Sequence, residues 1–196
     1  MIIRKATLGD AEFIAAYLLL AMKDIVYKVI GKNNPHEARE FMLHFIKKEN
    51  NQYSFQNCWV AENENKVVAA INLYDGAKLH ELRQPVLDYI SLLYQRDLRP
   101  EDETQPGEYY IDTFGVSPNE QGKGIGTTVL RFIIDEYVNK QGCTLGLLVN
   151  IDNPDAGRFY LKLGFTSVGK KMLLGNQMEH LQIKGRKKTD HGGSQI

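Results

Sequence analysis

The chain has 196 residues with 24 basic and 24 acidic side chains, so net charge makes no case for a nucleic-acid partner. Its length suits one domain with a sizeable core, and its 43% apolar content is that of an ordinary soluble protein. Cys58 and Cys143 have no CxxC spacing and the five histidines no HExxH spacing, which points to a reduced, cytoplasmic chain without a metal site.

Ile2–Ala6 reads as a first strand, followed by a turn in which Asp10 is placed to cap a helix running to about Lys28. The apolar run Phe13–Met22 lies in that helix. It falls short of the ~20 residues needed to cross a bilayer, and Asp10 and Glu12 before it argue against a secretory signal, so no membrane partner is expected. A second helix is expected over His36–Lys47 after Asn33-Asn34-Pro35, then a hairpin of Trp59–Glu62 and Val67–Tyr74 around Asn63-Glu64-Asn65.

From Asp75 to Glu108 the strand pattern lapses. Pro85, Val86, Ile90, Leu93 and Tyr94 suggest an amphipathic helix ending near Leu98, and an acidic loop follows. Tyr109–Val116 resumes as a strand, Thr127–Lys140 is periodic at helical spacing, and Leu145–Val149 is a continuous apolar run suited to a buried parallel strand. Together they make a βαβ unit. Asn153-Pro154 opens a short helix closed by Gly164, and strands at Thr166–Leu173 and Gln177–Ile183 turn at Gly175-Asn176. One domain over residues 1–183 is expected, with 184–196 as a polar tail.

The segment Gln121-Gly122-Lys123-Gly124-Ile125-Gly126 lies between a strand and a helix, where successive N–H groups converge at the positive end of the helix dipole. That is an anion site. Glycines let a phosphate approach the main chain, and Lys123 adds charge. The spacing is neither a P-loop, since glycine follows Lys123, nor a dinucleotide fingerprint, since Thr127 takes the place of the third glycine.

At these residues the chain resembles the Gcn5-related N-acetyltransferase (GNAT) superfamily, whose Q/R-x-x-G-x-G/A signature is matched by Gln121, Gly124 and Gly126. Asn153, Ala156, Phe159-Tyr160 and Leu163-Gly164-Phe165 resemble a second family segment, and Ile3–Thr7 with Asp10 its opening. The resemblance spans Ile2 to Ile183 except residues 75–108. It implies an α/β fold with a mixed, mostly antiparallel sheet flanked by helices, and a parallel strand pair splayed around the cofactor.

The resemblance implies acetyl-coenzyme A as cosubstrate, its pyrophosphate on the N–H groups of Gln121–Thr127 and its pantetheine arm beside Phe114, Gly115, Val116 and Asn153. Main-chain N–H groups near Val116 would hold the thioester carbonyl. Tyr160 is the candidate acid, because a phenol of pKa about 10 can protonate a thiolate whose conjugate acid lies near about 8.5. Asp112 is the leading base for an amine acceptor: on an unbulged strand it shares the face of Phe114 and Val116, and a β-bulge would reverse this. Glu108, Tyr110 and His180 are other acceptor-side candidates. The alternative is an acyl-coenzyme A-binding module without catalysis. The acceptor, a small-molecule or protein amine, is not specified by any motif, and residues 75–108 could form a lid over it or a homodimer contact through Ile90 and Leu93.

Overall fold

In a computed structural model describing residues 1–185, the chain begins with β1 (Ile2–Lys5) and passes through a short 3-10 turn into α1 (Ala11–Ile30). Helix α2 (Pro35–Ile46), the hairpin of β2 (Cys58–Asn63) and β3 (Lys66–Asp75), and α3 (Leu79–Tyr94) follow. The second half comprises β4 (Glu108–Val116), α4 (Ile125–Ile134), β5 (Thr144–Asn150), α5 (Pro154–Lys162), β6 (Thr166–Leu173) and β7 (Asn176–Ile183). The sheet order is β1-β2-β3-β4-β5-β7-β6, with β4–β5 its parallel pair. This is the mixed, mostly antiparallel sheet expected, with α4 as the crossover. Beyond Gly185, the polar tail lies outside the described residues. No helix among the described residues is long and apolar enough to cross a membrane.

Helices α1 and α2 bury Ile14, Leu18, Phe41 and Met42 on one sheet face, against Cys58, Val60 and Ala70. On the other face α4 packs Val129, Leu130 and Ile133 over Ala69, Ile71, Ile111 and Leu147. Both clusters are large apolar volumes removed from water, the dominant favourable contribution to folding.

Several local expectations change. The Asp10 side chain does not cap α1. Its carboxylate accepts from the Thr7 amide at 2.8 Å and from the Arg4 guanidinium at 2.8 and 3.0 Å, tying the end of β1 to the start of the helix. Helix α3 starts at Leu79 rather than near Pro85, because Leu79 and Leu82 pack against Tyr74 and Tyr110 and keep Pro85 inside the helix. It ends at Tyr94, not Leu98, and Leu93 points to solvent at 56% exposure. Ile90 is buried against α1 and α2, which removes it as a dimer contact. The last hairpin turns at Leu174-Gly175, both at positive φ.

Two features of the sheet position the site. Strands β4 and β5 pair only over Glu108–Ile111 and Thr144–Leu147, and beyond that the parallel pair has no further rungs. At the same level Asn72 faces Thr113 and Leu73 faces Ile111, so Asp112 is the extra residue of a β-bulge.

Candidate functional site

The glycine loop is held through the main-chain carbonyls of the neighbouring strands. The Ser117 N–H donates to the Val68 carbonyl at 2.8 Å, and Gln121 Nε2 donates to the Val116 carbonyl at 3.2 Å. Gly122 and Gly124 have φ of +77° and +81°, a region that side-chain-bearing residues avoid. Thr128 N–H donates to the Gly124 carbonyl at 3.0 Å, so the N–H groups of Ile125, Gly126 and Thr127 precede the helical ladder and have no intrahelical partner. They open onto a cleft of about 540 Å³ lined by Gln121, Gly122, Gly124, Thr127, Phe114 and Val116. A Cβ at Gly124 would meet nothing within 4 Å, so the cradle is open. Lys123 lies outside the lining and pairs with Glu120 at 3.2 Å.

Gly115 lies so close to α1 that a Cβ there would collide with the Tyr17 carbonyl. Its neighbours Phe114 and Val116 face the α4 side. Phe114 and Ala21 line the loop cleft and also a second cavity of about 640 Å³ that continues toward α3. Asn153 and Tyr160 line this second cavity. The Asn153 side chain caps α5 by accepting from the Ala156 amide at 3.1 Å. Tyr160 packs its ring against Phe159 and Phe165, and burial pushes its phenol up to about 12.

Asp112 also lines this cavity, but not as an unbulged strand would place it. The bulge shifts the alternation, so Asp112 joins Tyr110 and Thr113 on the α1 and α3 side, opposite Phe114 and Val116. Its carboxylate accepts from Gln52 Nε2 at 3.1 Å and Thr113 Oγ1 at 2.8 Å. Burial and the nearby Glu103 carboxylate push its pKa up to about 7, against the opposing hydrogen bonds and the Arg83 charge.

Gln52, Arg83 and Glu103 carry no motif and were not anticipated. Gln52 Nε2 donates to Glu103 Oε1 at 2.7 Å as well as to Asp112, bridging the two carboxylates. Tyr74 also donates to Glu103 Oε1, at 2.9 Å. Arg83 pairs with Glu103 and donates to the Pro100 and Glu101 carbonyls at 3.3 and 3.1 Å. The insertion therefore builds the wall of the cavity behind Asp112.

The other acceptor-side candidates separate. Tyr110 lines the cavity, and its burial holds the phenol far above its usual range. Glu108 and His180 do not line it. They form a buried pair at 3.0 Å stacked over Gly146, where a Cβ would strike the Glu108 carboxylate. Burial would raise the Glu108 pKa, but hydrogen bonds from His180, Thr104 and Gln182 outweigh it and hold the carboxyl low. Among the described residues no group of three or more His, Cys, Asp or Glu could hold a metal ion.

A mixed sheet whose parallel strands part beside a glycine loop at a helix N-terminus defines an α/β fold with a cleft at that loop. Residues 24–165 match the Acetyltransferase (GNAT) family model, and the chain belongs to that family. The N-alpha-acetyltransferase RimI of Mycobacterium tuberculosis is 41% identical over 66 residues, 34% of this chain and 40% of the relative, so the chain spans well under two thirds of that protein. An N-acetyltransferase of Staphylococcus aureus Mu50 superposes over 93% of this chain and 100% of its own, with TM-score 0.79 and 24% identity. A further solved acetyltransferase covers 95% of this chain and 100% of its own, with TM-score 0.75 and 26% identity.

Proposed function

We propose that the protein transfers an acetyl group from acetyl-coenzyme A to a primary amine by direct attack in a ternary complex. The observation that carries this reading is the continuity of the cleft: Phe114 and Ala21 belong both to the glycine-loop cleft and to the cavity holding Tyr160 and Asp112. N-alpha acetylation, the activity of the RimI relative, falls in the same reaction class.

The loop suits a pyrophosphate because its free N–H groups open onto solvent at the positive end of α4 and its glycines leave the approach clear. The thioester supplies an activated acyl group, so no protein nucleophile is required. The part of β4 beyond Ile111 has no partner on its β5 side, and main-chain N–H groups near Val116 are the donors for the acetyl oxygen. Preorganised donors of this kind usually supply the largest share of the rate enhancement. Although the bulge puts it on the sheet face opposite Phe114, Asp112 lines the same cavity as Phe114 and Tyr160, and with a pKa near 7 it takes the proton an ammonium acceptor must lose. Tyr160 stays protonated at neutral pH and gives its proton to the departing thiolate, and the second proton that the attacking nitrogen loses as the amide forms returns to the phenolate.

Coenzyme A binding by calorimetry and thiol release over an amine panel test this. Tyr160→Phe should retain coenzyme A affinity and lower kcat by about 100-fold, the scale of one general acid. Binding without thiol release from any amine would make the protein a binding module instead.

A further inference from the structure

The acceptor end of the cleft does not stop at Asp112. Lys28, Val29, Leu98 and Leu174 line both the central cavity and a third cleft of about 590 Å³. This outer chamber lies between the end of α1, the segment after α3 and the Leu174-Gly175 turn. Among the described residues its lining has three cations, Lys28, Lys32 and Arg96, and no carboxylate.

These cations differ in how far they are already satisfied. Lys32 pairs with Glu37 at 2.9 Å, and among the described residues Lys28 reaches only the neutral Asn176 side chain at 3.4 Å. Arg96 lies across Gly31, whose missing Cβ leaves room for the guanidinium, and its buried Nε has no hydrogen-bond partner among the described residues. Asp24, one turn before Lys28, lines the central cavity but not the outer chamber. The inner end has the opposite character. Arg83 there is bound by Glu103, Asp102 and two carbonyls, which leaves Asp112 facing the cavity.

We infer that the acceptor is an amine carrying an anionic group at its far end, the amine at Asp112 and the anion between Lys28 and Arg96. This deepens the transfer reading and rests on it for the position of the amine. The spacing follows from α1. Met22 accepts from the Thr113 hydroxyl at 3.5 Å, beside Asp112. At a rise of about 1.5 Å per residue, Lys28 lies about 9 Å further along the helix and Gly31 about 13 Å. An extended chain covers that gap in roughly seven to eleven bonds. A free α-amino acid is too short, and the wall of Met22, Ile25, Val86 and Ile90 between the charged ends suits an apolar spacer.

Aminooctanoate, diaminooctane and octylamine have equal spacers and different far ends. Thiol release should show kcat/KM for aminooctanoate about tenfold above diaminooctane, the size of one charge-assisted contact, with octylamine between them. Lys28→Glu and, separately, Arg96→Glu should reverse the order of the two. Equal or better use of diaminooctane by the unaltered protein, or an order unmoved by both substitutions, overturns the inference while leaving the transfer reading intact. Calorimetric binding of aminooctanoate supplies a readout without turnover. Affinity that is lost in Lys28→Glu supports the anion site even if no amine releases thiol, a result that would sink only the transfer reading. Affinity equal to that of diaminooctane overturns the site.

Discussion

The two ends of the cleft are built from different materials. The end proposed for the cofactor is main chain: six consecutive residues, two at positive φ, with their N–H groups presented ahead of the α4 ladder. The end proposed for the acceptor is side chain: Gln52, Arg83, Glu103 and Asp112 come from four separate segments and satisfy one another in a partly buried network. A backbone site tolerates changes of side chain and fails when its dihedral angles are forbidden. A buried polar network fails when any one member is lost, because the rest are left unpaired in a low dielectric.

The largest expected effect lies at the acceptor end. Arg83→Met retains length and apolar bulk but leaves the Glu103 carboxylate, 4% exposed, without its counter-charge. Breaking a buried pair in this way should cost about 3–5 kcal/mol, measured by denaturant unfolding. Replacing both partners, as Arg83→Met with Glu103→Leu, should recover part of that loss. A single variant as stable as the parent would mean the network is solvated, and the contrast between the two ends would collapse.

At the cofactor end Gly124 separates backbone strain from charge. A Cβ there meets no neighbour within 4 Å, so Gly124→Ala acts only through φ of +81° and should cost about 1–2 kcal/mol of stability. Gly124→Glu adds a carboxylate to an anion site and should lower coenzyme A affinity by at least about 100-fold, read by calorimetry. Affinity unchanged in Gly124→Glu would remove the loop from the site.

This difference in material also governs what was legible beforehand. The glycine spacing, the Asn153-Pro154 cap and the apolar Leu145–Val149 strand are local, and each appears where adjacent residues imply it. The bulge at Asp112 is not local. It is defined by pairing with Asn72 and Leu73, forty residues away, and it reversed the face on which the side chain had been expected. Arg83 and Glu103 were invisible for the same reason, since a charged residue ahead of Pro85 and one in an acidic loop ordinarily face water. The early start of α3 was hidden by Pro85, whose cost within the helix is offset by burial of Leu79 and Leu82. Asp10 had the composition of a cap but found a stronger partner in Arg4, which holds its carboxyl down at about 2.

The pH dependence of the acceptor end tests its carboxylate pair. With Asp112 titrating near 7, kcat/KM should rise with pH through that value, as expected of a base that must be ionised. Asp112 is faced by Glu103 and Arg83 and by the phenols of Tyr53, Tyr74 and Tyr110. Glu103→Gln removes the negative neighbour and leaves Arg83, so the limb should move below pH 7 and the variant should keep several-fold more of its plateau rate at pH 6. Stability follows with the opposite sense. The folded pKa lies above the unfolded value near about 3.9, so the folded chain retains a proton that the unfolded chain has released between those values. Stability therefore falls as pH rises from about 4 to 7, and Asp112→Asn should flatten that slope. A limb unmoved by Glu103→Gln would separate Glu103 from the base.

The smallest effect falls on the residue shared by backbone and side-chain roles. Asn153 accepts from the Ala156 amide as a helix cap and also lines the central cavity. Asn153→Ala should cost about 1 kcal/mol of stability by loss of the cap alone. Asn153→Asp keeps an acceptor oxygen at the helix N-terminus, so it should restore the unfolding midpoint. It also loses the amide donor and adds a negative charge to the cavity. If Asn153 serves the cofactor as well as the helix, the Asp variant has parental stability and weakened coenzyme A binding. If it is only a cap, both return together, and the cofactor end is then held by main chain along its whole length.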